Sequence, residues 1–191
     1  MKLFFVLLFM LSIALVQNAK AQSKYDKENR CPNPNLVKDT SKKSIPAVMA
    51  ATIGNDSVII KYFSPGVRGR IIWGGLVPYN EVWVTGAHDA TSIDVRRDFK
   101  VGKKTIPAGK YAIFTIPGKN EWTVIINKNW QQHLSNDYDQ KEDVVRIKVK
   151  PQKTKQVVER LSYEIESKAD RTANIIIGWE KLRIAFPIEI I

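Results

Sequence analysis

The chain has 191 residues, 44% of them hydrophobic, and carries 30 Lys and Arg against 19 Asp and Glu, a formal net charge of +11. Its one cysteine leaves no internal disulfide, and with two histidines and no CxxC, HExxH or paired Cys/His spacing the sequence signals no metal site and no cofactor. The basic residues are spread along the chain rather than gathered in runs, which reads as a solvated basic surface and gives nucleic-acid binding little support.

In chain order, Met1-Lys2 precedes an apolar run from Leu3 to Val16 and then Ala19-Lys20-Ala21. A charged start, an apolar middle and a small-x-small end read as a signal peptide over 1–21. The run is shorter than the ~20 residues of a membrane span, so no span is expected after cleavage. Removing Lys2 and Lys20 leaves 28 basic against 19 acidic residues, a charge of +9. The expected destination is export, to the periplasm or the cell exterior. Residues 22–44 are polar and poor in apolar surface and read as a flexible tail. Cys31 sits there in Cys31-Pro32-Asn33-Pro34-Asn35, as an exposed tail thiol or a link to a partner.

Residues 45–191 read as one β-sandwich domain. Ala47–Phe63 predicts a hairpin about the turn Gly54-Asn55-Asp56, with Val58, Ile60 and Tyr62 on one face. Strands follow at Thr91–Arg96, Tyr111–Ile116 and Glu121–Asn127, the last two joined by Pro117-Gly118-Lys119-Asn120. Lys128–Glu142 reads as a loop with one helical turn. Asp143–Lys150 and Gln156–Glu166 alternate cleanly, and Asn174–Trp179 and Leu182–Ile190 predict two strands linked tightly at Glu180-Lys181. About eight to ten short strands, with turn signals between them and no helical period, define an all-β fold: an antiparallel β-sandwich or open barrel. One sheet face is expected buried and the other wet.

Phe63–Thr91 breaks this regularity. It is dense in Gly, Pro, Arg and Trp and holds one of the two histidines. Arg68 and Arg70 suit a carboxylate, sulfate or phosphate, and Tyr79 and Trp83 suit a sugar or aromatic ring. His88 beside Asp89 offers acid/base chemistry, and Thr91 closes the group. The competing structural reading has the arginines capping turns, Trp83 in the core and His88 on a loop. Trp130, His133, Asp137, Tyr138 and Asp139 form a second polar-aromatic cluster. A metal or hydrolytic site requires the two histidines to meet near Asp89 or Asp137. Arg146, Lys148 and Lys150, with Lys153 and Lys155, make a basic stripe that reads as a solvated face.

The segments Ser64-Pro65-Gly66-Val67-Arg68-Gly69-Arg70, Gly75-Leu76-Val77-Pro78-Tyr79, Val82-Trp83 and Thr85-Gly86-Ala87 form one set of motifs. Pro107-Ala108-Gly109-Lys110-Tyr111, Phe114-Thr115-Ile116-Pro117-Gly118, Glu121-Trp122-Thr123-Val124-Ile125 and Asp143–Val149 form another. Together they resemble the family called domain of unknown function 2911. The resemblance implies an exported β-rich bacterial envelope domain and brings no established activity, so no catalytic residue carries over. The family pattern has Arg after Val-Trp and Asn after Gly-Ala, where this chain has Val84 and His88. The expected function is therefore an envelope binding or structural module whose groove, lined by Arg68, Arg70, Tyr79, Trp83, His88 and Thr91, takes a small anionic or carbohydrate ligand. The alternatives are a hydrolase or isomerase using His88 with Asp89 or another nearby carboxylate, and a domain that binds an envelope protein partner.

Overall fold

The computed structural model describes residues 43–191. The predicted signal peptide, Cys31 and nearly all of the polar tail lie outside these residues. Ten strands are present among them: β1 (Ser44–Ile53), β2 (Asp56–Pro65), β3 (Ser92–Val95), β4 (Phe99–Val101), β5 (Lys104–Ile106), β6 (Gly109–Ile116), β7 (Trp122–Asn127), β8 (Asp143–Val149), β9 (Gln152–Ala169) and β10 (Thr172–Ile190). They form two antiparallel sheets, in the orders β1-β2-β3-β6-β7-β8 and β5-β4-β10-β9. The fold is thus the sandwich, not a closed barrel.

Local chemistry explains the pairings. β1 and β2 pair from Ser44↔Pro65 to Ile53↔Asp56, so the turn is Gly54-Asn55, with Gly54 at φ 62. That left-handed conformation suits a residue without a Cβ. Along β2, Val58, Ile60 and Tyr62 are buried, while Ile59, Lys61 and Phe63 take the other side. The same alternation puts Leu161 and Tyr163 of β9 and Val124 and Ile126 of β7 into one main core. Complete burial of each such side chain stabilises by roughly 1.5–3 kcal/mol.

At one point in this core four tryptophans meet. Trp73 lies 4.8 Å from Trp122 and 5.9 Å from Trp179, edge to face, and Trp83 stacks on Trp179 at 5.7 Å. The indole N–H groups of Trp73, Trp122 and Trp179 are buried without a hydrogen-bond partner. The edge-to-face contacts set ring edges against ring faces, the arrangement that the aromatic quadrupole favours.

Two sequence expectations are corrected. The expected link at Glu180-Lys181 is no turn. β10 runs through it as one strand, with register shifts against β9 between Gly178 and Glu180 and between Glu180 and Leu182, and with Glu180 at φ 53. Before this bulge the buried positions are Ala173, Ile175, Ile177 and Trp179; after it they are Ile184, Phe186, Ile188 and Ile190. The break at Glu180 flips the parity of β10 so that both halves bury the same face, while the surplus residues of the irregularity lie on β9, where Lys153 to Ser162 oppose Leu182 to Gly178. The second correction concerns the wet face. All six residues of β7 are buried, as are Ala112 and Phe114 of β6. Loop residues Val84 and Ala90 cover the outer face there, joining Ala112, Phe114 and Ile125 in a second small core with Trp130 and Tyr138 against it.

Candidate functional site

The connection from β2 to β3, residues 66–91, begins as a strap on the main core. Val67 donates its N–H to the carbonyl of Glu159 at 2.7 Å, and Ile72 and Val77 are buried. Trp83 then bridges to Thr115, with backbone hydrogen bonds of 2.8 and 3.0 Å in the two directions. Thr85 follows at φ 52, an unusual conformation for a β-branched residue. Its surroundings hold it there. The Thr85 hydroxyl lies 3.0 Å from that of Thr115, and its carbonyl accepts the hydroxyls of Thr91 at 3.1 Å and Tyr163 at 2.9 Å. Burial pushes the Tyr163 hydroxyl well above its ordinary pKa, so it stays a neutral donor. A Cβ on Gly86 would stand 2.8 Å from the Thr91 Oγ1 and 3.2 Å from the Phe63 carbonyl, which makes that position fit only glycine closely.

Beyond Gly86 the strap rises to the surface and meets the loop between β7 and β8. Ala90 donates to the Gln132 carbonyl at 2.9 Å and Leu134 to the His88 carbonyl at 2.6 Å, with Asp89 and His133 paired between them. His88 and Leu134 both have positive φ, 58 and 53. With Thr85 they place three left-handed non-glycine residues around one short zipper, and such strain concentrates at functional sites at a cost of about 1–3 kcal/mol each.

The zipper forms one wall of a cleft of about 580 Å³ on the outer face of the six-stranded sheet. That size is ordinary for a small-molecule site. Lys61 and Phe63 of β2, Lys110 of β6 and Pro46 and Val48 of β1 line it from the sheet, and Asp89, Trp130, Gln132 and His133 from the loops. The Lys110 ammonium rests 3.5 Å from the Trp130 ring centroid. A cation over an indole face contributes about 0.5–1 kcal/mol when exposed and more when dry. The Asp89 carboxylate lies 3.7 Å from His133 Nδ1, both side chains largely exposed. Gln132 is buried; its amide nitrogen donates to the Asn129 carbonyl at 2.7 Å, and its Oε1 accepts nothing.

The residues predicted for one groove are dispersed. The Arg70 guanidinium turns back onto the carbonyls of Gly66 at 2.6 Å and Val67 at 3.2 Å, closing its own turn. Arg68 is exposed at φ 51, its backbone N–H on the Glu159 carboxylate at 2.9 Å. Tyr79 packs over Gly74, Trp83 lies in the tryptophan group and Thr91 is fully buried beneath Thr85. None of these five lines the cleft. His88 stands beside it, its ring against Phe63 at 4.9 Å and its Nε2 sharing a 2.7 Å hydrogen bond with the Ser44 hydroxyl. Asp89 pairs with His133 and not with its neighbour His88. The two histidines do approach, at 6.4 Å between ring centroids, yet no group of three His, Cys, Asp or Glu among the described residues is placed to hold a metal ion.

The second cluster also divides. Trp130 and His133 reach the cleft, whereas Tyr138 anchors the loop. It donates to the Asp143 carboxylate at 2.7 Å, which also receives Arg146 Nε at 2.6 Å and Asn127 at 2.8 Å. Arg146 also reaches the Tyr138 hydroxyl. Burial, followed by the bond to Asp143, pushes Tyr138 up to about 12. Arg146 of the expected solvated stripe is thus a structural tie. Lys61, Lys110, Phe63 and Gln132 were not among the residues read as a site. The one available signal was a lysine between Ile59 and Phe63 on an otherwise apolar strand face.

The fold and cleft define a β-sandwich with a cationic, aromatic-walled recess built from one sheet and two long loops. The chain belongs to the family described as Protein of unknown function (DUF2911), whose model matches residues 44–188. Comparison with curated proteins and with solved structures gave no match.

Proposed function

We propose that the chain is an exported β-sandwich module that binds a small anionic ligand in the cleft bounded by Lys61, Lys110, Trp130 and His133. One observation carries this reading: two lysines, Lys110 on the Trp130 ring, line a recess whose lining contains a single carboxylate, Asp89, already beside His133. Ammonium groups act as point charges toward carboxylate or phosphate. The export part rests on the charged start, apolar run and Ala19-Lys20-Ala21 of the sequence. Amino-terminal sequencing of exported protein, expected to begin at Gln22, tests it.

The binding part is tested by calorimetry with citrate and inorganic phosphate at low and high salt. Both bind the wild type, more weakly at high salt, and the double variant Lys61→Ala, Lys110→Ala loses binding while its thermal melt stays cooperative. Equal binding by the two proteins would remove the cleft from consideration.

A second reading, a hydrolase or isomerase, gains one observation. The carboxylate nearest a histidine in the cleft is Asp89, and its partner is His133. An acid/base role then falls to His133 rather than His88, whose Nε2 is engaged by Ser44. Turnover that survives His133→Gln would end this reading.

A further inference from the structure

Charge alone does not account for the lining of the cleft. Trp130 presents an indole ring there, and the cation on that ring is Lys110, itself part of the lining. An ammonium on an aromatic face is held by the ring quadrupole, and a full negative charge competes for it directly. An anionic group entering the cleft therefore draws Lys110 off the ring and bares the indole surface at the same moment. A ligand that carries only the charge uses half of this arrangement. A ligand with a ring next to its charge uses both halves, filling the place over Trp130 that the lysine leaves.

A second observation narrows the kind of ring. Ser92 and the exposed Gln131 both line the cleft and offer a hydroxyl and an amide to a ligand. Gln132 also lines it, but its unpartnered Oε1 is closed off from solvent and out of a ligand's reach. Donors on the ring distinguish a hydroxylated sugar from a plain aryl acid.

We infer that the cleft selects an acidic sugar: a hydroxylated ring stacked on Trp130, its anionic substituent held by Lys110 and Lys61, and ring hydroxyls turned toward Ser92 and Gln131. The assignment rests on the reading of the cleft as an anion site and adds the ring to it. The charge is a carboxylate, as in a uronic acid, or a phosphate, as in a sugar phosphate; the shared chemistry is an anion on a polyhydroxylated ring.

The protein carries its own reporter. Of its five tryptophans, Trp73, Trp83, Trp122 and Trp179 pack together at the main core, Trp73 and Trp83 partly buried, which leaves Trp130 in the cleft. Full-length mature protein is titrated with glucuronic acid, glucose 6-phosphate, glucose, acetate and benzoate, reading tryptophan fluorescence and calorimetric heat. A saturable fluorescence change is expected with glucuronic acid or glucose 6-phosphate, at least tenfold tighter than with glucose, acetate or benzoate. Whichever of the two acids binds more tightly names the anion. Trp130→Phe removes the optical change but keeps measurable heat, and Lys110→Met reduces the preference for acid over glucose at least fivefold. Acetate or benzoate binding as tightly as both acidic sugars, with loss in Lys61→Ala, Lys110→Ala, would overturn the sugar assignment and leave the anion site standing. No binding of any of the five, together with none of citrate or phosphate, overturns both.

Discussion

The Tyr163 hydroxyl, on β9, donates to the carbonyl of Thr85 at 2.9 Å, reaching across 78 residues of chain to the strained base of the cleft wall. Tyr163 is buried at 3% exposure, so this bond is shielded from water. It makes the four-stranded sheet a support for a loop on the far side of the other sheet. Tyr163→Phe should destabilise by about 1–3 kcal/mol, the cost of a buried acceptor losing a partner. Denaturant midpoints at constant slope check this; a variant as stable as the wild type shows that Thr91 alone suffices.

Gly86 and Thr91 should be coupled. Gly86→Ala drives a methyl group to within 2.8 Å of the Thr91 Oγ1, an overpacking that costs about 1–3 kcal/mol. Thr91→Ala removes the obstructing hydroxyl and its bond to the Thr85 carbonyl. The double variant should therefore lose less than the sum of the single losses. Additive losses in a double-mutant cycle would place the clash on the Phe63 carbonyl instead.

Arg70 separates structure from binding. Its guanidinium serves two carbonyls of its own turn. Arg70→Ala should lower stability by about 1 kcal/mol and leave citrate affinity unchanged. A tenfold loss of affinity in a folded Arg70→Ala protein would return the groove to the strap.

Tyr138 predicts an alkaline transition. Its pKa is raised from 10 to about 12 in the folded chain, because burial and the Asp143 carboxylate disfavour the phenolate. The folded state thus holds this proton more tightly than the unfolded state. The contribution is complete below pH 10 and is lost as pH rises toward 12. Tyr138→Phe should flatten the dependence of stability on pH in this window. An unchanged alkaline slope would assign the transition to another group.

Much of the sandwich was legible because its strands obey a period of two. Val58, Ile60 and Tyr62 announced the buried face of β2, and Pro117-Gly118-Lys119-Asn120 announced the link from β6 to β7. At Glu180 the same rule misled: a parity flip and a chain reversal leave the same trace in the sequence. The cleft was less legible. Arginines in an irregular stretch looked like ligands, yet Arg70 had nearer acceptors in its own turn. Lys61 looked like the wet side of a strand and Lys110 fell just before the predicted strand Tyr111–Ile116, since alternation does not say which outer positions a distant loop will roof. His88 and His133 lie 45 residues apart, and only the zipper of strap and loop makes them neighbours.

The bulge in β10 works as a phase marker. Removing one residue between Gly178 and Leu182 would restore strict alternation to the strand and keep Ile184, Phe186, Ile188 and Ile190 on the buried face. Straightening the strand at full length would instead turn those four toward solvent and carry Arg183 and Glu189 toward the core. An apparent irregularity is thus the one position in the strand where the chain can lose a residue and keep both halves in phase. A single deletion there should be tolerated far better than a single deletion within either half.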